Sequence, residues 1–355
     1  PSREPKPMTT LLPVGRANRV TIASPGTLSQ AARGGRTAHD VTVRELTGAA
    51  VTQVEELSRA VYGEHHATAT EWRHAPLPRE GVRRYVARSG AGEAFHAYGC
   101  LWTEPWLEHR RCRRLELLVH PRERGRGFGE ALYAQLWRDF TATGTPTLEA
   151  YVRLEQTEAI GFLERRGFRK TGRDWNLRLP VSEADLSGVG EALDRVRAHG
   201  VTVTTLAEER ERNPHCLRDV HALCSVIEAE QVAPAPWTPT PFVPFTAWLQ
   251  RQEAMWGACF LAKRDGEYVA ISMLTCRQDQ PSWLFQNATG TQRDYRRRGI
   301  ALALKLCGIA YAREHGYRTI HTTNASRHPG ILALNHQLGF CPDGGHVTLQ
   351  RGQEQ

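Results

Sequence analysis

Positions 124–129 read Arg-Gly-Arg-Gly-Phe-Gly and positions 296–301 read Arg-Arg-Arg-Gly-Ile-Ala. These two stretches are the parts of the chain best suited to hold a phosphorylated ligand. Each follows an apolar run (115–119 and 283–285) and precedes a helical pattern, Leu132, Leu136 and Phe140 in one case and Leu302, Leu304, Leu306 and Ile309 in the other. Strand, basic turn and helix start is the reading. Gly125, Gly127, Gly129 and Gly299, with the small Ala301, let the backbone approach a bulky anion. The first-turn amides of a helix have no partner within it, and Arg124, Arg126, Arg296, Arg297 and Arg298 surround them, so a diphosphate fits. One such turn alone reads equally as a solvated loop; recurrence decides. The offset 296 − 124 = 172 also carries Val119 to Thr291, Leu136 to Gly308, Gly144 to Gly316, Thr147 to Thr319 and Gly167-Phe168 to Gly339-Phe340. One unit is laid down twice.

Among titratable residues, His321 has the ordinary range of a base near neutrality, and a histidine within a strand also serves as a hydrogen-bonded structural residue. The same offset places it opposite Glu149. His65-His66 has no third ligand nearby and reads as solvated loop, with no metal site. Eight scattered cysteines without a C-x-x-C pair fit a reduced, cytoplasmic protein without structural zinc. The net charge of +8 is partly explained by the two turns, and no aromatic-interleaved basic stripe points to nucleic acid. The most apolar helical stretch, 302–311, is interrupted by Lys305 and followed by Arg313, so neither a nucleic acid nor a membrane is an expected partner.

The elements that must position the turns follow from periodicity. Residues 1–40, rich in Ser, Thr, Gly, Pro and Arg, read as a disordered tail or upstream extension rather than a transit peptide. A strand at 41–46, a helix at 48–62, a loop at 64–80 and a hairpin of 85–87 with 95–102 lead to the first turn. A strand at 147–152, a helix at 157–166 and a strand at 168–179 follow it. A connecting helix at 182–200 belongs structurally with the second unit. Residues 201–206 echo 41–46 at 206 − 46 = 160, so the second copy carries 172 − 160 = 12 extra residues before its turn. These fall in the region that includes 232–245, VAPAPWTPTPFVPF, a substrate-lid candidate or a proline-rich packing edge. A hairpin of 260–263 with 268–274 turning at Asp265-Gly266, strands at 283–289 and 318–323 and a helix at 331–338 complete the chain. The fold class is α/β, a mixed sheet with flanking helices, in two tandem domains at 41–180 and 181–355.

V-x-x-x-x-R-x-x-G-x-G, a helix, a strand, a second helix and a closing Gly-Phe resembles the GNAT superfamily of acyl-CoA-dependent N-acyltransferases. Val119, Arg124, Gly127, Gly129 and Gly167-Phe168 carry the pattern in copy one; Arg296, Gly299, Ala301 and Gly339-Phe340 carry it in copy two. Thr289-Gly290 and TTNASRHPGILALNHQLGF at 322–340 resemble a bacterial tandem subgroup. The resemblance implies that freed backbone at Leu117 to Val119 and at Thr289 to Thr291 binds the pantetheine arm of acetyl-CoA and meets the oxyanion. It implies that Glu116 stands where a general base acts through water, with Ala288 there in copy two, and that Asn324 and Asn335 help hold the cofactor arm. As residues alone, these asparagines read equally as a helix cap and a solvated helix face. The family's acid tyrosine is replaced by Leu163 and Asn335, and copy two departs further at Thr291, His328 and Gly330-Ile331. The implied activity is acetyl transfer from acetyl-CoA to a primary amine of a small molecule or peptide by direct attack, in a monomer or homodimer, with copy two as the catalytic half. The alternative is a non-catalytic acyl-CoA-binding sensor or scaffold.

Overall fold

Alternating apolar residues make strands and wider apolar stripes make helices in an order that repeats once along the chain. The computed structural model describes residues 41–46, 51–63, 82–89, 94–103, 112–231, 258–277 and 280–353. The first copy runs β1 (Val41–Glu45), α1 (Val51–Tyr62), β2 (Arg83–Ser89), β3 (Ala97–Trp102), β4 (Cys112–Val119), α2 (Phe128–Ala142), β5 (Thr147–Arg153), α3 (Thr157–Glu164) and β6 (Arg169–Pro180). After α4 (Val189–Ala198), the second runs β7 (Thr202–Thr205), α5 (Leu206–Arg212), α6 (Cys216–Gln231), β8 (Cys259–Arg264), β9 (Glu267–Arg277), β10 (Gln280–Thr291), α7 (Ile300–Glu314), β11 (Thr319–Ala325), α8 (Pro329–Gln337) and β12 (Cys341–Gly352). From the turns onward the repeat is kept to the residue, since 300 − 128, 319 − 147 and 341 − 169 all equal 172.

Among the described residues twelve strands form one mixed sheet in the order β1-β2-β3-β4-β5-β12-β6-β11-β10-β9-β8-β7. The order reads the same from both ends if corresponding strands are matched, except that the last strands have changed places. β12 pairs antiparallel with β5 of the first copy, and β6 pairs antiparallel with β11 of the second. The two exchanged strands pair with each other at the centre. Burial follows the exchange. Val347 and Leu349 of β12 lie in the core with Leu136, Phe140, Ile160 and Phe168, while Leu177 and Leu179 of β6 lie in the core with Leu304, Ile309, Ile320 and Phe340.

The mixed α/β class is as the sequence predicts, with local differences. The expected helix at 182–200 is shorter: the Asp185 carboxylate takes the Ser187 amide at 2.8 Å, a local bond that competes with helix, and α4 starts at Val189. The strand expected at 201–206 ends at Thr205, whose hydroxyl accepts from the Glu208 amide while Glu208 accepts from the Thr205 amide, a capping box that starts α5. Helices α5 and α6 have no counterpart in the sequence reading. Residues 1–40, His65-His66 and the lid candidate 232–245 lie outside the described residues.

Candidate active site

Both basic turns lead directly into a helix. Gly127 and Gly299 are the N-caps of α2 and α7, at φ 90° and 78°, a left-handed conformation that glycine adopts without strain. Neither cap offers a side-chain hydrogen bond, and among the described residues no backbone carbonyl from outside the helix takes the amides that follow. A Cβ built on Gly125 or Gly127 would meet no atom of the described residues within 4 Å, so among them the space over the first turn is open. In the second copy the position of Gly125 is held by Arg297, at φ 62°. A non-glycine residue in this region is uncommon and marks a site held by its surroundings. The arginines rest on local partners: Arg124 reaches Glu158 at 3.4 Å, Arg126 pairs with Glu123, Arg296 Nε donates to the Thr291 carbonyl at 3.0 Å, and Arg298 donates to the Asp294 carbonyl at 2.9 Å. Ion pairs this exposed contribute little and exchange easily for an anion. Gly129 packs α2 against Val119, where its Cβ would stand 3.4 Å from Cγ2; Ala301 occupies the matching place.

The strand entering each turn parts from its parallel neighbour. β4 and β5 pair from Cys112 with Thr147 to Leu115 with Ala150, and no pairing continues from Glu116 to Val119. β10 and β11 pair from Trp283 with Thr319 to Phe285 with His321 and then separate. Each half thus has a V-shaped cleft that runs from the point of separation to a glycine-capped helix. Leu117 and Val119 lie on the stretch of β4 beyond the last pair, Thr289 and Thr291 on that of β10. The hydroxyls of Thr289 and Thr291 are buried without a hydrogen-bond partner among the described residues. A buried polar group of this kind calls for a ligand or water. β10 also carries a β-bulge between Gln286 and Ala288, whereas β4 faces β3 without a register shift. Gly290 follows from packing: a Cβ there would lie 2.2 Å from Ile227 Cγ2 on α6.

The predicted titratable residues fall on different parts of the clefts. Glu116 lies on the α1 side of β4, in one row with Cys100 and Arg84. Burial pushes its carboxyl up to about 7, with Arg84 pulling the other way. Tyr62 stands close enough to feel its charge and stacks under Arg153, whose guanidinium carbon lies 4.9 Å from the ring centroid. His321 sits at the point where β10 and β11 part. Its Nδ1 is 3.6 Å from Asp343 Oδ2, its Nε2 is 3.1 Å from Thr319 Oγ1, and its ring stacks on Trp283 at 4.4 Å. Glu149, its counterpart, is nearly fully buried, bound to Arg114 at 2.9 Å and to Gln350 of β12 at 2.8 Å. Asn335 is fully buried, not on a solvated face; its Nδ2 donates to Asn324 Oδ1 at 2.7 Å and its own Oδ1 has no partner among the described residues. Leu163, in place of the tyrosine, is a core residue.

Sequence reasoning missed the partners that gather around these residues: Tyr62, Arg84 and Arg153 near Glu116, Asp343 beside His321, and a buried Lys305 with Gln286 under β10. Only the last left a signal, a lysine on the stripe of α7 that also carries Ala301, Gly308 and Ala312. Among the described residues no group of three or more His, Cys, Asp or Glu could hold a metal ion, and no helix is long and apolar enough to cross a membrane.

Comparison with known proteins gives the same repeat. The sequence model of the acetyltransferase (GNAT) family matches residues 51–168 and again residues 223–340. Among solved structures, a GCN5-related N-acetyltransferase from Sphaerobacter thermophilus is similar over 88% of this chain and 95% of its own, with TM-score 0.66 and 18% identity. A tandem GNAT protein from the clavulanic acid biosynthesis pathway is similar over 89% of this chain and 99% of its own, with TM-score 0.65 and 20% identity. A GCN5-related glucosamine N-acetyltransferase region of a fungal multi-domain β-N-acetylglucosaminidase is similar over 88% of this chain and 38% of its own, with TM-score 0.68 and 11% identity. At these identities the likeness is one of fold. No curated protein matches the chain.

Proposed function

We propose, from the premise that this chain belongs to the acetyltransferase (GNAT) family, that it transfers an acetyl group from acetyl-CoA to a primary amine by direct attack. The observation that carries the reading is the pairing, in each half, of a parted strand with a glycine-capped helix. Coenzyme A supplies the activated acyl group as a thioester. The amides after Gly127 and Gly299 would hold its diphosphate, with Arg124, Arg126, Arg296, Arg297 and Arg298 screening the charge. The open backbone at Leu117 to Val119 and at Thr289 to Thr291, with Asn324 and Asn335 in the second half, would line its arm. The residues present fit such a group because, among the described residues, the space over the first turn is open and the polar atoms of Thr289, Thr291 and Asn335 in the second half await partners.

The amine must lose a proton to attack. In the first half Glu116 would accept it from the amine, directly or through water, on a carboxylate balanced near neutral pH. In the second half Ala288 stands in that place, and His321, oriented by Asp343 and Trp283, is the candidate base. Leu163 and Asn335 cannot donate as a tyrosine would, so the leaving thiolate is protonated by water or by the substrate.

The test assays release of the coenzyme A thiol with a panel of amines for the wild type, Glu116→Gln and His321→Asn. Loss of turnover in one variant assigns the catalytic half. Binding of acetyl-CoA without thiol release against every amine would replace the enzyme with a sensor. Calorimetry on Arg124→Ala with Gly127→Glu, and on Arg296→Ala with Gly299→Glu, should remove one binding site each; unchanged stoichiometry in both would overturn the assignment of the turns.

A further inference from the structure

The side of α7 that packs on the sheet carries one cation. Lys305 is 2% exposed, and among the described residues no carboxylate pairs with it. Its Nζ donates to Gln286 Oε1 at 3.1 Å and lies 5.2 Å from the centroid of the Phe340 ring. Burial pushes its pKa down to about 7. A lysine so placed is costly unless it satisfies something that an apolar residue could not.

What it satisfies is the acceptor of a side chain already fully engaged. Gln286 Nε2 donates to the Met273 carbonyl at 2.8 Å, to the Ala288 carbonyl at 3.1 Å and to Ser272 Oγ at 3.3 Å. These contacts bracket the bulge of β10, where Gln286 faces Leu274 and Ala288 faces Met273 with Asn287 inserted between. An inserted residue interrupts the ladder and leaves backbone groups without their regular partners. The Gln286 amide takes up carbonyls on both strands there, and its remaining oxygen needs a donor from the helix side. Lys305 is that donor.

The first copy serves as an internal control. The positions of Gln286 and Lys305 are Arg114 and Tyr133, since 286 − 172 = 114 and 305 − 172 = 133. Arg114 turns to Glu149, Tyr133 accepts from Arg351 at 2.9 Å, and β4 runs opposite β3 without a bulge from Arg114 to Val119. Pair and bulge occur together in one copy and are absent together in the other. We propose that Lys305 is a positioning residue of the second cleft: through Gln286 it fixes the bulge of β10 and thereby the placement of the backbone from Ala288 to Thr291 along which the cofactor arm would run. The role rests on the reading of that cleft as an acyl-CoA site.

The test uses Lys305→Met and Gln286→Glu in the full chain, with the first turn disabled by Arg124→Ala and Gly127→Glu so that only the second site reports. Each variant should speed hydrogen exchange of the amides at 287–289 and weaken acetyl-CoA by about tenfold, the scale of one unsatisfied buried group. Competition by the nucleotide diphosphate fragment of coenzyme A, which reaches the turn alone, should stay unchanged, whereas a general loosening of the core would weaken both ligands. Native exchange at 287–289 in a folded variant overturns the proposal, as does equal weakening of the fragment. Failure of both variants to fold assigns the pair to the core alone and overturns it too. If the parent with the first turn disabled binds no acetyl-CoA, the reading of the second cleft fails, and exchange at 287–289 decides the role of Lys305 by itself.

Discussion

Half-buried Glu116 and buried Lys305 lie in opposite halves and are shifted in opposite senses. The Glu116 carboxyl is raised from its ordinary 4.5 to about 7, so the folded chain keeps a proton that the unfolded chain has lost. Its contribution is fully present below 4.5 and is lost as pH rises to about 7. The Lys305 ammonium is lowered from 10.5 to about 7, so stability rises with pH between about 7 and 10.5. Each slope reaches at most about 1.4 kcal/mol per pH unit. Denaturant titrations across pH should lose the acid-side slope in Glu116→Gln and the alkaline-side slope in Lys305→Met. If Glu116 is the base of the first half, kcat/KM there falls about tenfold per pH unit below about 7, because the protonated carboxyl cannot accept. A flat profile between pH 5 and 7, on the order of the window between free and buried carboxyl, would remove it from that role. Gly290 gives a prediction of a different kind. Gly290→Ala drives a methyl into Ile227 and should cost about 1–3 kcal/mol in urea unfolding, with much of the loss recovered by adding Ile227→Ala.

At the scale of elements, the two strand–turn–helix units were legible because their signals are local. The glycines and the apolar runs on either side lie within a short stretch of chain, the fixed offset repeats that stretch, and the helices Phe128–Ala142 and Ile300–Glu314 start where the pattern places them. Contacts made at long range were not legible. Nothing near His321 foretells Asp343, which arrives on another strand, and nothing near Glu116 foretells Arg84 or Arg153. The bulge of β10 escaped for a related reason: a single inserted residue becomes visible only against the register of β9. The partner of each last strand was equally hidden, because an offset of 172 is the same whether β6 and β12 stay in their own halves or trade. The trade itself predicts a displaced mutational effect. Leu349→Ala, a change on β12 of the second copy, should cost roughly 2–5 kcal/mol and loosen the first half, where its side chain packs with Leu136, Leu148 and Phe168. Hydrogen exchange should show the loss of protection in β5 and α2 rather than in α7.

For the whole molecule, the exchanged strands make two clefts parts of one sheet. β12 brings to the first half Val347 and Leu349, Gln350 on Glu149, and Arg351, which donates to Tyr133 and stacks on Trp137 at 3.8 Å. Removing residues 341–355 should therefore abolish acetyl-CoA binding at the first turn, more than 200 positions away in sequence as 341 − 124 = 217 shows. Binding retained at the first turn in such a truncation, read by calorimetry, would show that β6 can fold back to replace the missing strand.

The position of β12 also bears on how the chain is made. Synthesis proceeds from the N-terminus, and domains usually settle as they leave the ribosome. Here the neighbour that covers β5 is encoded 341 − 153 = 188 positions further on, so the earlier-made half waits, with an open sheet edge, until that distant strand has been made. A stalled or prematurely terminated message would release a polypeptide with an unpaired strand, the kind of species that chaperones hold and aggregates recruit.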